Sequence, residues 1–238
     1  MHIEYQNDLK PGQAEILVRE LLEVSFGPEE LGNPGDLIQQ LTGGELQVFS
    51  AWDGSRPLGA AIGWFATAEI TMLSWLAVSP LTRGRGVGSE LFQQAISQWE
   101  SRHNPLLILG EVENPHQHVA SEQYGDPRRR WAFYQRLGAK HLDFPFEMPR
   151  LSPDVPVGED MWLVSFAGRA HSAIDPKTGE LSGLGVGSAL REFLDTYLKD
   201  SAETCDANSN YRPPVERMLD AAAPVSYTHL TLPTSDLV

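Results

Sequence analysis

Six consecutive residues, Arg83-Gly84-Arg85-Gly86-Val87-Gly88, have the make-up of an anion-binding turn. They join an apolar run, Ile70 to Ser79, to the start of a helical pattern. The first amides of a helix lack intrahelical partners and the helix dipole is positive there, so a phosphate is stabilised at that end. Glycines leave the backbone bare for close approach and permit left-handed turns. Two common phosphate motifs fail on these residues. A P-loop requires Lys and then Ser or Thr after its last glycine, where this chain has Ser89-Glu90. A dinucleotide fingerprint counted from Gly84 requires Gly or Ala where Ser89 stands, and it opens a parallel βαβ unit, whereas a hairpin pattern precedes this turn. Elsewhere, His116 and His118 form an H-x-H pair after Glu113, but no third ligand is patterned around them. They read as substrate contacts or solvated side chains, and no metal is expected. Cys205 is the single cysteine, which excludes an internal disulfide and a cysteine zinc knot.

The elements that must position the turn follow from periodicity. Ala14 to Phe26 spaces Ile16, Leu17, Leu21, Leu22 and Val24 as a helix, stopped by Gly27-Pro28, and Gly35 to Leu41 is a second short one. Leu46 to Trp52 and Leu58 to Thr67 are strands joined at Asp53-Gly54, a dipeptide that favours a tight antiparallel hairpin. Ile70 to Ser79 is a third strand, ended by Pro80. After the glycines, Val87, Leu91, Phe92, Ala95, Ile96 and Trp99 share one helical face. Leu106 to Glu113 is then a strand parallel to its predecessor, because a helix connects them. Asp126 caps a helix whose first residue is Pro127 and which stops at Gly138. His141 to Met148 and Met161 to Ala167 supply two further strands. The fold class expected is α/β, a mixed antiparallel and parallel sheet flanked by helices.

Residues 168 to 224 read as a helical extension, with Leu190, Phe193, Leu194, Tyr197 and Leu198 on one face and a second helix from Val215 to Ala222. GVGSEL at 86 to 91 recurs there as GVGSAL at 185 to 190, but without the preceding buried strand. The last residues, from Val225, differ in character and can be encoded by a sequence resembling a transposase adapter, so 225–238 are read as a non-native tail.

The 238 residues, 41% of them hydrophobic, are enough to bury a sizeable core, and no tract is apolar enough to span a bilayer. The start shows no secretory pattern, so cytoplasmic residence is expected by default. A formal charge of −14 disfavours phosphate tracking, which excludes nucleic acid as an expected partner, and weakly favours cationic small molecules.

With the turn, its strand and its helix in place, the sequence resembles the GNAT N-acetyltransferases. Their signature is Gln or Arg, two residues, Gly, one residue, then Gly or Ala, matched by Arg83, Gly86 and Gly88. The stretch LAVSPLTRGRGVGSELF fits the family's strand, turn and helix, and FYQRLG at 133 to 138 fits a second block. The order of elements extends the resemblance over residues 1–167. It implies an acyltransferase with acetyl-CoA as co-substrate, moving an acetyl group directly to a primary amine of a small molecule or peptide, and it allows a homodimer. A catalytically silent acyl-CoA sensor on the same scaffold is the alternative. By the same resemblance, Arg83, Gly84, Arg85, Gly86, Val87, Gly88 and Ser89 form the coenzyme site, with the amides of Arg85 through Ser89 holding the pyrophosphate. Leu76, Ala77 and Val78 pair with the pantetheine arm, which requires their strand to splay from the one ending near Glu113; a bulge at Gly110 would permit this. The amide of Val78 is a candidate donor to the thioester oxygen.

Acyl transfer to an amine needs a base to free the nitrogen lone pair and an acid to protonate the leaving thiolate. Tyr134 matches the family tyrosine in the acid role; the bland reading is a packed helix aromatic. For the base, Leu107, Leu109, Glu111 and Glu113 alternate onto one strand face, so carboxylates replace leucines as the strand nears the cleft. They are either a base, direct or through water, or a solvated strand end, with Glu113 ahead of Glu111 as nearer the loop. Met72 stands about where many relatives place a strand glutamate. Arg128, Arg129 and Arg130 oppose the dipole of the helix they open, and contact the adenosine phosphate or pair with acids.

Overall fold

The computed structural model describes residues 2–120, 125–148, 160–181, 185–199 and 213–222. A short strand β1 (Glu4–Gln6) leads into α1 (Gln13–Leu17), which continues through a π-helical turn, Val18–Leu22, to α2 (Glu23–Ser25). Leu17, Val18, Leu21 and Leu22 are all buried along it. Next come α3 (Pro28–Leu31) and α4 (Pro34–Gly43), the latter capped by Asn33, whose side chain accepts from the amides of Gly35 and Asp36. The hairpin is β2 (Leu46–Asp53) and β3 (Arg56–Trp64), closed by Gly54-Ser55 with Gly54 at φ 64. Then follow β4 (Ile70–Val78), α5 (Val87–His103), β5 (Leu107–Glu113), α6 (Pro127–Arg136), β6 (Lys140–His141), β7 (Met161–Ala167), α7 (Val186–Tyr197) and α8 (Pro213–Ala221).

The strands form one seven-stranded sheet in the order β1-β2-β3-β4-β5-β7-β6. Neighbours pair antiparallel except β4 and β5, which α5 joins as a parallel pair. This is the mixed α/β sheet expected. The strand expected over 141 to 148 is shorter: its ladder ends at His141. Beyond it the Phe144 amide donates to Leu142 O at 2.9 Å and the Phe146 amide to Phe144 O at 2.8 Å. Those two amides are satisfied by i to i−2 turns, the Leu142 and Asp143 amides by Leu163 O and Gly179 O, and Pro145 supplies no donor.

Three apolar clusters cover the sheet. On one face α5 and α6 pack against Phe49, Ala61, Leu73, Ile108, Val112 and Phe166. On the other, α1 and α4 cover Leu46, Val48, Ala60, Ile62 and Ala77, while α7 and α8 cover Ile70, Met72, Leu107, Leu109 and Leu163. The helices after residue 168 therefore share a core with the sheet, and Phe193 and Leu194 are fully buried there.

Candidate active site

The glycine turn is built from its buried end outward. The Ser79 amide donates to Leu58 O at 2.9 Å, and the buried Thr82 hydroxyl donates to Leu58 O and Ser79 O at 3.1 and 3.2 Å. These bonds pin the 3-10 turn Pro80–Thr82 to β3. Gly84 and Gly86 then take φ 76 and 82, left-handed values that only glycine adopts without strain. Gly86 is the N-cap of α5, while Val87 is buried and anchors its first turn. The Arg85 amide donates to Thr82 O at 3.2 Å, so it is already engaged by the turn. The Glu90 amide donates to Gly86 O. Among the described residues, the amides of Gly86, Val87, Gly88 and Ser89 donate to no protein acceptor. Four adjacent N–H groups at the dipole-positive end of a seventeen-residue helix make an anion cradle.

Beside the cradle the sheet opens. The parallel pairing of β4 with β5 runs from Ile70↔Leu107 to Leu73↔Gly110 and stops, although β4 continues to Val78 and β5 to Glu113. The strands splay as expected, but Gly110 does not bulge. The extra residues lie elsewhere: Ser74 in β4 opposite Ile62/Gly63, and Phe166 in β7 opposite Ile108/Leu109. Gly110 instead makes room for the Phe166 ring. Along β4 the Ser79 amide faces β3, so by alternation Ala77 also directs its polar groups to β3 while Leu76 and Val78 direct theirs into the wedge. Of the three backbone residues expected to line an extended ligand, two are available and one is committed to the sheet.

Opposite this edge stand the two glutamates, which the structure places in different surroundings. Glu111 shares the face of Leu107 and Leu109 and lies level with Leu163 on β7. The phenol of Tyr197, on α7, donates a hydrogen bond to Glu111 Oε1. Burial raises the Glu111 carboxyl from 4.5 to about 7, with the Tyr197 bond opposing the rise. Glu113 is ion-paired: Arg130 Nη1 lies 3.1 Å from its Oε2 and His118 Nδ1 lies 4.0 Å from its Oε1. Nearness to the loop pointed to Glu113 first; surroundings make Glu111 the carboxyl with a base-like pKa.

Tyr134 is buried on α6 among Phe92, Phe133 and Phe166, at ring distances of 5.9, 5.2 and 5.1 Å. Burial pushes its phenol up to about 12, partly offset by Arg130, so it holds its proton at neutral pH. Of the H-x-H pair, His116 packs on Trp162 at 5.6 Å and His118 faces Glu113, so the two rings have different neighbours. No group of three metal-ligating side chains occurs among the described residues. The arginines pair as one of their two readings expected: Arg129 with Asp126 at 3.8 Å and Arg130 with Glu113, while Arg128 donates to Pro115 O at 3.3 Å. Asp126 caps α6 through the Arg128 amide, as its position implied. Tyr197 was missed as a site residue, because a tyrosine at apolar helical spacing reads as core.

The arrangement provides an anion cradle, an open strand edge, a protonated phenol and a carboxyl that titrates near neutrality. Residues 44–138 match the family model described as an acetyltransferase (GNAT) domain. Among solved structures, the fold is similar to a GNAT-family protein from Bacteroides thetaiotaomicron, at 22% identity and TM-score 0.58, over 83% of this chain and 98% of that one. It is also similar to the aminoglycoside 6'-N-acetyltransferase from Enterococcus faecium, at 17% identity and TM-score 0.51, over 71% of this chain and 99% of that one. An aminoglycoside 6'-N-acetyltransferase complexed with coenzyme A matches at the same values of 17% and 0.51, over 71% and 99%. At these identities the likeness is one of fold. No curated protein matches the chain in sequence.

Proposed function

We propose, from the match of residues 44–138 to the family model described as an acetyltransferase (GNAT) domain, that the protein moves an acetyl group from acetyl-CoA directly to a primary amine of a small molecule or peptide. The observation that carries this reading is the wedge between β4 and β5. Its pairing ends at Leu73↔Gly110, and the unpartnered amides of Gly86 to Ser89 lie at the helix that follows β4. An extended ligand with a phosphate at one end fits that combination: amides for the pyrophosphate, a strand edge for the amide-bearing pantetheine arm.

In this reading the amides of Gly86, Val87, Gly88 and Ser89 bind the pyrophosphate, and Arg83, Gly84 and Arg85 shape the turn beside it. Leu76 and Val78 bond the pantetheine, and Ala77 ties their strand to β3. The Val78 amide stabilises charge on the thioester oxygen. Glu111 accepts a proton from the acceptor's ammonium, and the freed nitrogen attacks the carbonyl carbon. The carbon–sulfur bond breaks, the thiolate takes the phenolic proton of Tyr134, the new amide nitrogen gives up its remaining excess proton to solvent, and the phenolate recovers a proton from solvent. Glu113, paired with Arg130, shapes the wall between the strand end and α6.

The test is thiol release from acetyl-CoA across polyamines, aminoglycosides, amino acids and peptides. Amine-dependent release is expected. Tight coenzyme binding with no stimulation by any amine would make the chain an acyl-CoA sensor, and no coenzyme binding would remove the reading altogether.

A further inference from the structure

Tyr197 reaches Glu111 across 86 positions of sequence, from a helix outside the matched domain. Its placement is tightly set. Its ring stacks on Phe193 at 5.2 Å and lies 6.0 Å from Phe146, while Phe193 in turn lies 6.5 Å from Trp64. Phe193 is fully buried and the rest of α7 is anchored by Leu190, Leu194 and Leu198. The phenol therefore has little freedom to leave, and its hydroxyl ends on one oxygen of Glu111. Among the described residues, the hydrogen bond given to the Glu111 carboxyl falls on Oε1.

We infer that Tyr197 is a positioning residue for the base: by donating to Oε1 it fixes the carboxylate rotamer and leaves Oε2 as the oxygen that receives the acceptor's proton. This rests on the reading of Glu111 as the base. Tyr197 takes no part in the proton transfers. Oε2 takes one proton from the ammonium and later loses it to solvent, while Tyr197 keeps its own, since burial and the adjacent carboxylate both raise its pKa. Among the described residues, Tyr197 is the hydrogen-bond partner of the Glu111 carboxyl. On β5 the nearest titratable group is Glu113, itself faced by Arg130 and His118. On β7 its register partner is Leu163, and from α7 comes Tyr197, whose ring lies 6.0 Å from Phe146. A bond to the charged form also holds the carboxyl below the value that burial alone would set, which keeps more of it ionised at neutral pH.

The test is a carbon-13 NMR titration of the glutamate carboxyls in the full chain, with Glu111 assigned by its loss in Glu111→Gln. Tyr197→Phe is expected to move the Glu111 midpoint up by about one pH unit. The acid limb of kcat/KM, measured with the fastest amine of the panel, should move with it. An unmoved midpoint overturns the inference, whether or not the enzyme reading survives. A moved midpoint with an unmoved acid limb also overturns it, because Glu111 would then not be the titrating base. If Tyr197→Phe does not fold, 3-fluorotyrosine at position 197, a stronger donor, should lower the midpoint; no change would be equally decisive against it.

Discussion

The ring of Phe166 occupies the space in which a Cβ on Gly110 would stand. That contact lies where the parallel pairing of β4 and β5 ends, and the same ring packs 5.1 Å from both Phe92 and Tyr134. The residue at which the parallel pairing ends and the residue proposed to protonate the thiolate are thus separated by one aromatic side chain.

Gly110→Ala should therefore push Phe166 towards Tyr134. Overpacking of this kind costs about 1–3 kcal/mol, which thermal denaturation would read as a drop of about 2–4 °C per kcal/mol. Catalysis should fall as well, because Tyr134 moves with the ring it packs on.

Gly86→Ala places a Cβ on a residue at φ 82. The left-handed conformation costs a non-glycine residue about 1–2 kcal/mol, and relaxing it would tilt the amides of the cradle. Calorimetric titration with coenzyme A should show affinity at least about tenfold weaker, alongside that loss of stability.

Much of this geometry was legible in the sequence, and the part that was not has a common cause. Strand, turn and helix from Ile70 to Trp99 combine strong periodicity with glycines at fixed spacing, and the structure follows them closely. The Asp126 cap and Met161–Ala167 were equally readable, being local. β1 spans only Glu4–Gln6 and has too few residues to show alternation; Tyr5 gains its place by stacking on Phe49. The pairs Tyr197 with Glu111 and Arg130 with Glu113 are long-range, and periodicity carries no information about which side chains meet across the fold.

Stability should fall as pH rises from about 4.5 to about 7, because the folded Glu111 carboxyl holds its proton more tightly than the unfolded one. Protonation stabilises the fold fully below the lower value and is lost through the higher. Glu111→Gln, neutral throughout, should be more stable than the parent by about 1–3 kcal/mol above pH 7, with no gain at pH 4. Differential scanning calorimetry at both ends of the window would measure the difference.

Tyr134→Phe removes only the phenolic proton donor from a buried ring. kcat should drop by about 10²-fold with coenzyme affinity unchanged. Stopped-flow thiol release would separate that loss from any change in binding.

The most direct test of direct amine acetylation with Glu111 as base is the rate of amine-dependent thiol release from acetyl-CoA by the parent chain and by Glu111→Gln. The parent should show kcat/KM rising about tenfold per pH unit up to about pH 7 and flat above it. Glu111→Gln should lose about 10²- to 10⁴-fold while binding coenzyme A as before. Equal rates in the two proteins, or a parent profile flat through pH 7, would contradict the assignment.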